Sequence, residues 1–488
     1  MLLRNTILFV LGQGLPALIA FASLSLYTRL VDPAVYGAYA VAFSAAMMGA
    51  AALFGWMRAG ILRFTSGVGR SRQLMFATAL YGYAGLAAAV LVLGVAYDIC
   101  IGRPLYGFPA TLLALCLAAL GGSEIALTFV RTSLRGGRNL WINLVRAIVQ
   151  VAVSLTLLLY AGWQGIALLT GVIVAQALCM ALVLTCHWRE ICLGRWSPVG
   201  AARLWRFGWP TCIKSIAGFI ETMLDRFLLI AMVDAAAAGV YAVGYDLMSR
   251  SLFLLSGAVS MAGLPLVVRA IERGGLHAGR ASMSRYCTLL LGLMLPAVCG
   301  LWLLRQNIGA VLVGEQYRTG LIEILGLIVL AALLGEMRSY YTDFAFEAAR
   351  QPKKQLPVPL IGVVATVGFN LLLIPLLGIM GAAIAAVLSR TLSLVASVVL
   401  VRRIFPLPFP AVSAAKVAAS CVVMCLTLWP TLPYLGWHFL IAQVLLGAGA
   451  YGACVYALNI DGARRRLHAV AARHLARLPR LRRMGSIG

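Results

Sequence analysis

Lys214, Glu221 and Asp225 lie in an otherwise apolar stretch, seven and four residues apart. On an α-helix that spacing gathers all three within about 40° of one another. An ammonium binds a phosphate oxygen as a point charge, and a carboxylate in an apolar setting takes up and releases a proton or a sodium ion. Arg226 follows Asp225 directly and so points roughly 100° away. Other polar stripes occur in apolar surroundings. Asn139, Asn143, Arg146, Gln150 and Ser154 share one face, as do Glu124, Thr128 and Arg131; Asp246 and Arg250 stand at i, i+4, and Arg390 stands alone. A planar guanidinium grips phosphate oxygens in pairs, and amide and hydroxyl groups beside it suit a watery groove that binds sugars. Arg146, Lys214, Arg250, Arg390, Asn143 and Gln150 are therefore candidate substrate-binding residues for an anionic, hydroxyl-rich cargo. Glu124, Glu221, Asp225, Arg226 and Asp246 are candidates either for coupling to an ion or for pairing that holds helices together, with Asp225 set against Arg226 or Arg250 for example.

These residues must be positioned inside a bilayer. Apolar residues make up 62% of the 488 and charged residues 11%, against about 45–50% and about 25% in soluble globular proteins. A charge at the bilayer centre costs about 2.5–3.5 kcal/mol on insertion scales, so such side chains are expected to turn toward a cavity or a partner. Fourteen apolar runs of span length follow one another, from 6–27 to 436–458, with the tenth (320–345) interrupted by Glu323, Glu336, Arg338 and Asp343. The fold class is thus an all-α polytopic membrane protein of about fourteen transmembrane helices. Arginine and lysine gather after even-numbered runs, at Arg63, Arg70 and Arg72, at Arg131, Arg135 and Arg138, and at Arg350, Lys353 and Lys354, whereas odd connections carry little beyond Arg29, Arg103, Arg305 and Arg318. The positive-inside rule then places the even connections and both termini in the cytoplasm of a multi-pass inner-membrane protein. The run after Arg4 reads as a retained first helix. The arginine-rich stretch from Ala463 reads as a basic cytoplasmic tail, lying on an anionic leaflet or solvated.

Several functions are disfavoured. The net charge of +25 is explained by topology, so nucleic acid is not an expected partner. The 11 cysteines include no CxxC pair, which leaves no metal site or disulfide framework indicated. There is no GK dipeptide and hence no Walker A loop, and no connection is long enough for a soluble catalytic domain. Neither an enzyme nor a cofactor is expected.

An internal repeat organises the helices. VDPAVYGAYAV at Val31–Val41 recurs as VDAAAAGVYAV at Val233–Val243, and Gly162 and Gly165 recur as Gly378 and Gly381 at almost the same offset. Runs one to six correspond to seven to twelve, a parallel repeat whose interface is a common place for substrate. The segments LGQGLPALIAFASLSLYTRLVDPAVYGAYAVA and DRFLLIAMVDAAAAGVYAVGYDLMSR, with the two glycine-marked span starts, resemble the polysaccharide transporter branch of the multidrug/oligosaccharidyl-lipid/polysaccharide exporter superfamily, which includes Wzx-type O-antigen flippases. The resemblance covers nearly the whole chain. It implies two six-helix lobes, 1–206 and 207–403, forming a V-shaped cavity, with two further helices over 404–460 before the tail at 461–488. It also implies alternating access and translocation of an undecaprenyl-pyrophosphate-linked oligosaccharide across a bacterial inner membrane, for lipopolysaccharide O-antigen or exopolysaccharide, alongside membrane lipids and polymerase or assembly partners. Two other readings stay open: a cation-coupled multidrug antiporter of the same superfamily, and a non-transporting scaffold for glycan assembly.

Overall fold

The computed structural model describes residues 2–64, 70–132, 136–186, 195–349, 351–405, 407–462 and 464. A backbone in hydrocarbon must satisfy its own hydrogen bonds, and the helix does so within one segment. Among the described residues extended pairing is confined to one bridge, between Leu105 and Phe108. The helices are α1 (Leu2–Leu30), α2 (Pro33–Phe64), α3 (Arg70–Cys100), α4 (Ala110–Thr132), α5 (Gly136–Tyr160), α6 (Gln164–Cys186) and α7 (Pro198–Met232). After these come α8 (Ala235–Gly275), α9 (His277–Leu303) and α10 (Glu315–Ala348). The stretch Pro357–Arg402 turns at Gly378, where φ is +56°, and so forms α11 (357–377) and α12 (379–402). The chain ends with α13 (Ala411–Leu428) and α14 (Trp437–Ala457).

Eleven described helices are long and apolar enough to cross a membrane. Splitting one of them at Gly378 and adding α1 and α7 restores the fourteen spans expected from the apolar runs. The charges along α7 keep it out of the purely apolar set, and it is one of the helices that build the polar site. The interrupted tenth run is one continuous helix, α10, in which Arg338–Thr342 form a π-helical turn. There Ser256 donates to the Glu336 carboxylate at 2.5 Å, so this charge is met by a partner.

Helix starts follow local chemistry. The Asp98 carboxylate accepts from the backbone N–H groups of Ala110 and Thr111, both at 2.8 Å, and closes the start of α4. Ser197 accepts from the Gly200 N–H at 3.1 Å to cap α7, and Asp234 accepts from the Ala237 N–H at 2.6 Å to cap α8.

The chain divides into two compact units. The first comprises Met1–Leu254, Leu312–Gly335 and Pro352–Ser397; the second comprises Leu255–Val311, Glu336–Gln351 and Val398–Gly488. At the centre of the first unit the two copies of the repeat touch. A side chain on Gly37 would collide with the carbonyl of Ala235 and the N–H of Gly239, while one on Gly239 would collide with the carbonyl of Pro33 and the N–H of Gly37. Reciprocal backbone contact of this kind is what small residues permit between membrane helices. The start of α10 joins the same crossing, since Tyr317 donates to the Val31 carbonyl at 2.8 Å and the Gly314 N–H donates to Thr28 Oγ1 at 3.1 Å. The second glycine pair is equally physical: Gly162 and Gly378 both take positive φ, +65° and +56°, at corresponding turns, a conformation glycine adopts without steric cost. In the second unit, Val417, Cys421 and Ile460 pack with Cys299 and Tyr451, and Asn307 donates to Gln443 at 2.8 Å within a buried amide pair.

Candidate functional site

Glu221, Asp225 and Arg226 sit on the inner part of α7 and are 2%, 1% and 3% exposed. Charges withdrawn from water this far must be met by hydrogen bonds or opposite charge. Asp225 accepts from the Tyr241 hydroxyl of α8 at 2.6 Å and from Asn370 Nδ2 of α11 at 2.8 Å. Arg226, turned to another side of α7, donates to Asp246 of α8 at 2.5 Å. The ring of Tyr245 is flanked by two guanidinium groups, Arg226 at 5.5 Å and Arg390 of α12 at 5.9 Å, an arrangement stabilised by the quadrupole of the ring. Arg390 also donates to the Tyr245 hydroxyl at 3.2 Å and to the Glu221 backbone carbonyl at 3.5 Å. Two glycines make room: a Cβ at Gly335 would strike the Arg390 guanidinium, and one at Gly362 the Glu221 carboxylate. The Nε atoms of Arg226 and Arg390 and Oδ1 of Asn370 are buried without a hydrogen-bond partner.

The structure thus brings Glu221, Asp225, Arg226, Asp246 and Arg390 into one network, where the sequence shows them on three separate runs. The pairing differs from the one anticipated. Asp225 and Arg226 do not pair, because successive side chains diverge by about 100° on a helix; Arg226 takes Asp246, and Asp225 takes two neutral donors. The side chain of Arg250 lies outside the described residues, as do the loop residues Arg135, Arg189 and Arg350 and the basic tail from Arg465.

The remaining candidates find partners of their own. Lys214 donates to Gln355 Oε1 at 2.8 Å, and Arg146 donates to Gln176 Oε1 at 3.4 Å. Both bases are half-buried, and both partners are neutral. Asn143 donates to the Asn139 carbonyl at 2.8 Å, turning this part of the α5 stripe back on its own helix. Glu124 pairs with Arg58 at 3.3 Å, each side chain about 40% exposed, beside a cavity of about 130 Å³ that Phe219 also lines. Gln150 faces a chamber of about 160 Å³ between α1, α2 and α5, into which Arg226 and Asp246 also reach. Among the described residues no group of three His, Cys, Asp or Glu side chains converges as a metal site would.

Several contributors carry no charge and were not singled out in the sequence: Tyr241, Tyr245, Asn370, Gln176 and Gln355. Tyr241 lies within the repeat, and Asn370 is an amide in an otherwise apolar run, so both left a signal. Tyr245 left none, because an aromatic residue in an apolar helix usually packs against lipid or core.

The bundle of apolar helices around this network has a fold that solved structures share. Lipid II flippase MurJ in an inward closed conformation superposes with a TM-score of 0.76 over 93% of this chain and 99% of that one, at 14% identity. A multidrug resistance MATE family transporter of the MOP superfamily, inward-facing, gives 0.57 over 84% and 94%, also at 14% identity. At such identities these define the fold alone. The sequence itself goes further: residues 26–321 match the polysaccharide biosynthesis protein family, and the chain belongs to it. Two relatives from Haloferax volcanii are "Probable flippase AglR", 27% identical over 52% of this chain and 53% of the relative, and "Probable low-salt glycan biosynthesis flippase Agl15", 24% identical over 57% and 58%. The chain spans about half the length of these curated relatives.

Proposed function

We propose that the protein moves a lipid-linked oligosaccharide, carried on an undecaprenyl-type pyrophosphate, across a bacterial inner membrane for surface polysaccharide synthesis. The observation that supports this reading is the state of two bases. Lys214 and Arg146 lie half-buried in membrane-spanning helices, and among the described residues each is bonded to a neutral glutamine rather than to a carboxylate. Their charge is not cancelled locally, so it remains available to a pyrophosphate, which a guanidinium and an ammonium recognise well. The relatives named as flippases point the same way.

On this reading residues 1–206 and 207–403 act as two lobes around a cavity that opens alternately to each side. Two further helices follow over 404–460, and both termini lie in the cytoplasm. Arg250, Arg390 and Asn143 complete the polar lining with Gln150. Asp225, whose carboxylate meets only neutral hydrogen-bond donors, or Glu221 or Glu124, takes up and releases a proton or sodium ion to reset the cycle. Arg226 and Asp246 tie α7 to α8.

The test is genetic and chemical together. The chromosomal copy is deleted and complemented with wild type, Arg146→Ala or Lys214→Ala at matched membrane levels, and surface glycan is quantified alongside lipid-linked intermediate. Accumulated intermediate, lost glycan and failed rescue by the variants are expected. Unaffected glycan with raised sensitivity to cationic drugs would replace this reading with a multidrug antiporter, and full rescue by both variants would leave the scaffold reading standing.

A further inference from the structure

Three cysteines meet in the second unit, far from the charge network. Val417, Cys421 and Cys425 follow one another at four-residue intervals on α13, which sets them in one stripe along the helix. Val417 and Cys421 are buried with Ile460, and Leu295 and Cys299 of α9 pack against them together with Tyr451 and Val455 of α14. The thiols of Cys421 and Cys425 both donate to the Cys299 sulfur, which stands between them. Neighbouring contacts pin this frame. Tyr451 donates to the Gly292 carbonyl at 2.7 Å, two turns from Cys299 on the same face of α9, and Lys416 donates to the Leu458 carbonyl at 3.2 Å. Cys421 is 5% exposed, whereas Cys299 and Cys425 are half-buried. Cys299 lies four residues before the end of α9 at Leu303, and Cys425 three before the end of α13 at Leu428, so both stand about one turn from the water-facing helix ends.

Packing alone does not call for this arrangement. A buried cysteine acts as a small hydrophobe with a weak S–H donor, and Cys212 shows the ordinary case, directing its thiol to the Ala51 carbonyl at 3.1 Å. What thiols in mutual contact add is the capacity to form a bond. A metal ion is not favoured, because the sulfurs form a line with Cys299 in the middle, and among the described residues no group of three ligands converges. A disulfide needs only two. A hydroperoxide supplies the oxidant: one sulfur attacks its O–O bond to give a sulfenic acid and water, and a neighbouring thiol displaces a second water as the S–S bond forms. Two thiols thereby lose two protons and two electrons, and the peroxide is reduced to two water molecules. The third thiol lies where it can attack the finished bridge and move it by one turn of α13.

We propose that Cys299 with Cys421 or Cys425 is a reversible oxidation site, at which a hydroperoxide cross-links α9 to α13. Both helices end at odd connections, which the orientation proposed above places outside the cytoplasm, where disulfides persist. The experiment treats full-length protein in lipid nanodiscs with hydrogen peroxide, alkylates it with N-ethylmaleimide, and maps the peptides by mass spectrometry with and without dithiothreitol. Alkylation of Cys299 is expected to fall at least threefold and to return with dithiothreitol, and the peptide bearing Cys299 should appear joined to the one bearing Cys421 and Cys425. The cross-link should vanish in Cys299→Ala, and in Cys421→Ala combined with Cys425→Ala, each checked for a monodisperse profile by size exclusion. If either variant misfolds, the wild-type peptide map decides alone. Cys299 that stays fully alkylatable under conditions that oxidise the exposed Cys100 would overturn the proposal. So would sulfinic acid at Cys299 with no joined peptide, or a bridge from Cys421 or Cys425 that persists in Cys299→Ala. The nanodiscs contain no cargo and distinguish no side of the membrane, so the result decides the cross-link whether or not the flippase reading holds.

Discussion

Arg226 and Asp246 illustrate how one residue pair can be costly to break and cheap to replace. Removing one member of a buried ion pair strands the other charge, at about 3–5 kcal/mol, whereas exchanging both for apolar groups of similar volume is often close to neutral. Asp246 keeps a side-chain exposure of 22%, which lets water take up part of a stranded charge. Arg226→Met is therefore expected to destabilise the purified protein by about 3 kcal/mol, at the lower end of that range, and Arg226→Met with Asp246→Leu to recover more than half of it, read from denaturation midpoints in one detergent. Lys214 behaves differently because its partner, Gln355, is neutral. Lys214→Gln should leave the midpoint within error of wild type yet lower glycan export at least tenfold, while Lys214→Arg retains most of it. A Lys214→Gln protein that exports normally would remove this ammonium from the cargo path. The sequence exposed every charged member of the network, since charge is conspicuous in an apolar run. It did not expose Tyr245, whose importance comes from lying between two guanidinium groups supplied by α7 and α12.

Helices α2 and α8 cross where Gly37 and Gly239 lie against each other's backbone. Even a methyl group there must push the helices apart, because the obstructing atoms are main chain rather than a flexible side chain. Gly37→Ala and Gly239→Ala are each expected to reduce the yield of monodisperse protein severalfold in fluorescence-detected size exclusion. Gly218→Ala on α7 meets nothing within 4 Å and should be neutral, or stabilising by up to about 1 kcal/mol through helix propensity. Gly378→Ala tests a different cause, since its positive φ makes any side chain strained, by about 1–3 kcal/mol. The repeat was legible as matched letters, and the matched glycines at 162 and 378 do form corresponding turns. That the first motif packs on its own second copy was not legible, because sequence similarity between two segments carries no information about their distance. The tenth run shows the reverse case: its charges suggested an interruption, yet the helix continues, since the Ser256 hydroxyl meets Glu336 and a π-helical turn absorbs the register change.

Across the whole molecule the alternation of basic connections makes one prediction independent of any cargo. Reporter fusions after Leu30 and after Gly102, in odd connections, should be active only for a periplasmic enzyme, and fusions within the 65–69 connection or after Arg464 only for a cytoplasmic one; a reversed pattern would invert the orientation of both lobes. Hydropathy and charge placement yield this prediction by themselves, because the cost of burying charge in hydrocarbon acts on each segment separately, whatever the segment packs against. Span number, the correspondence of the halves and the family resemblance are local or linear properties, and they were readable for that reason. The choice of partners was not. Whether Asp225 meets Arg226 or Tyr241, whether Lys214 meets a carboxylate or a glutamine, and whether Gln150 opens onto an aromatic chamber depend on which helix faces are brought within about 3 Å of each other. Only tertiary packing decides that, because helices far apart in the chain supply the two sides of each contact.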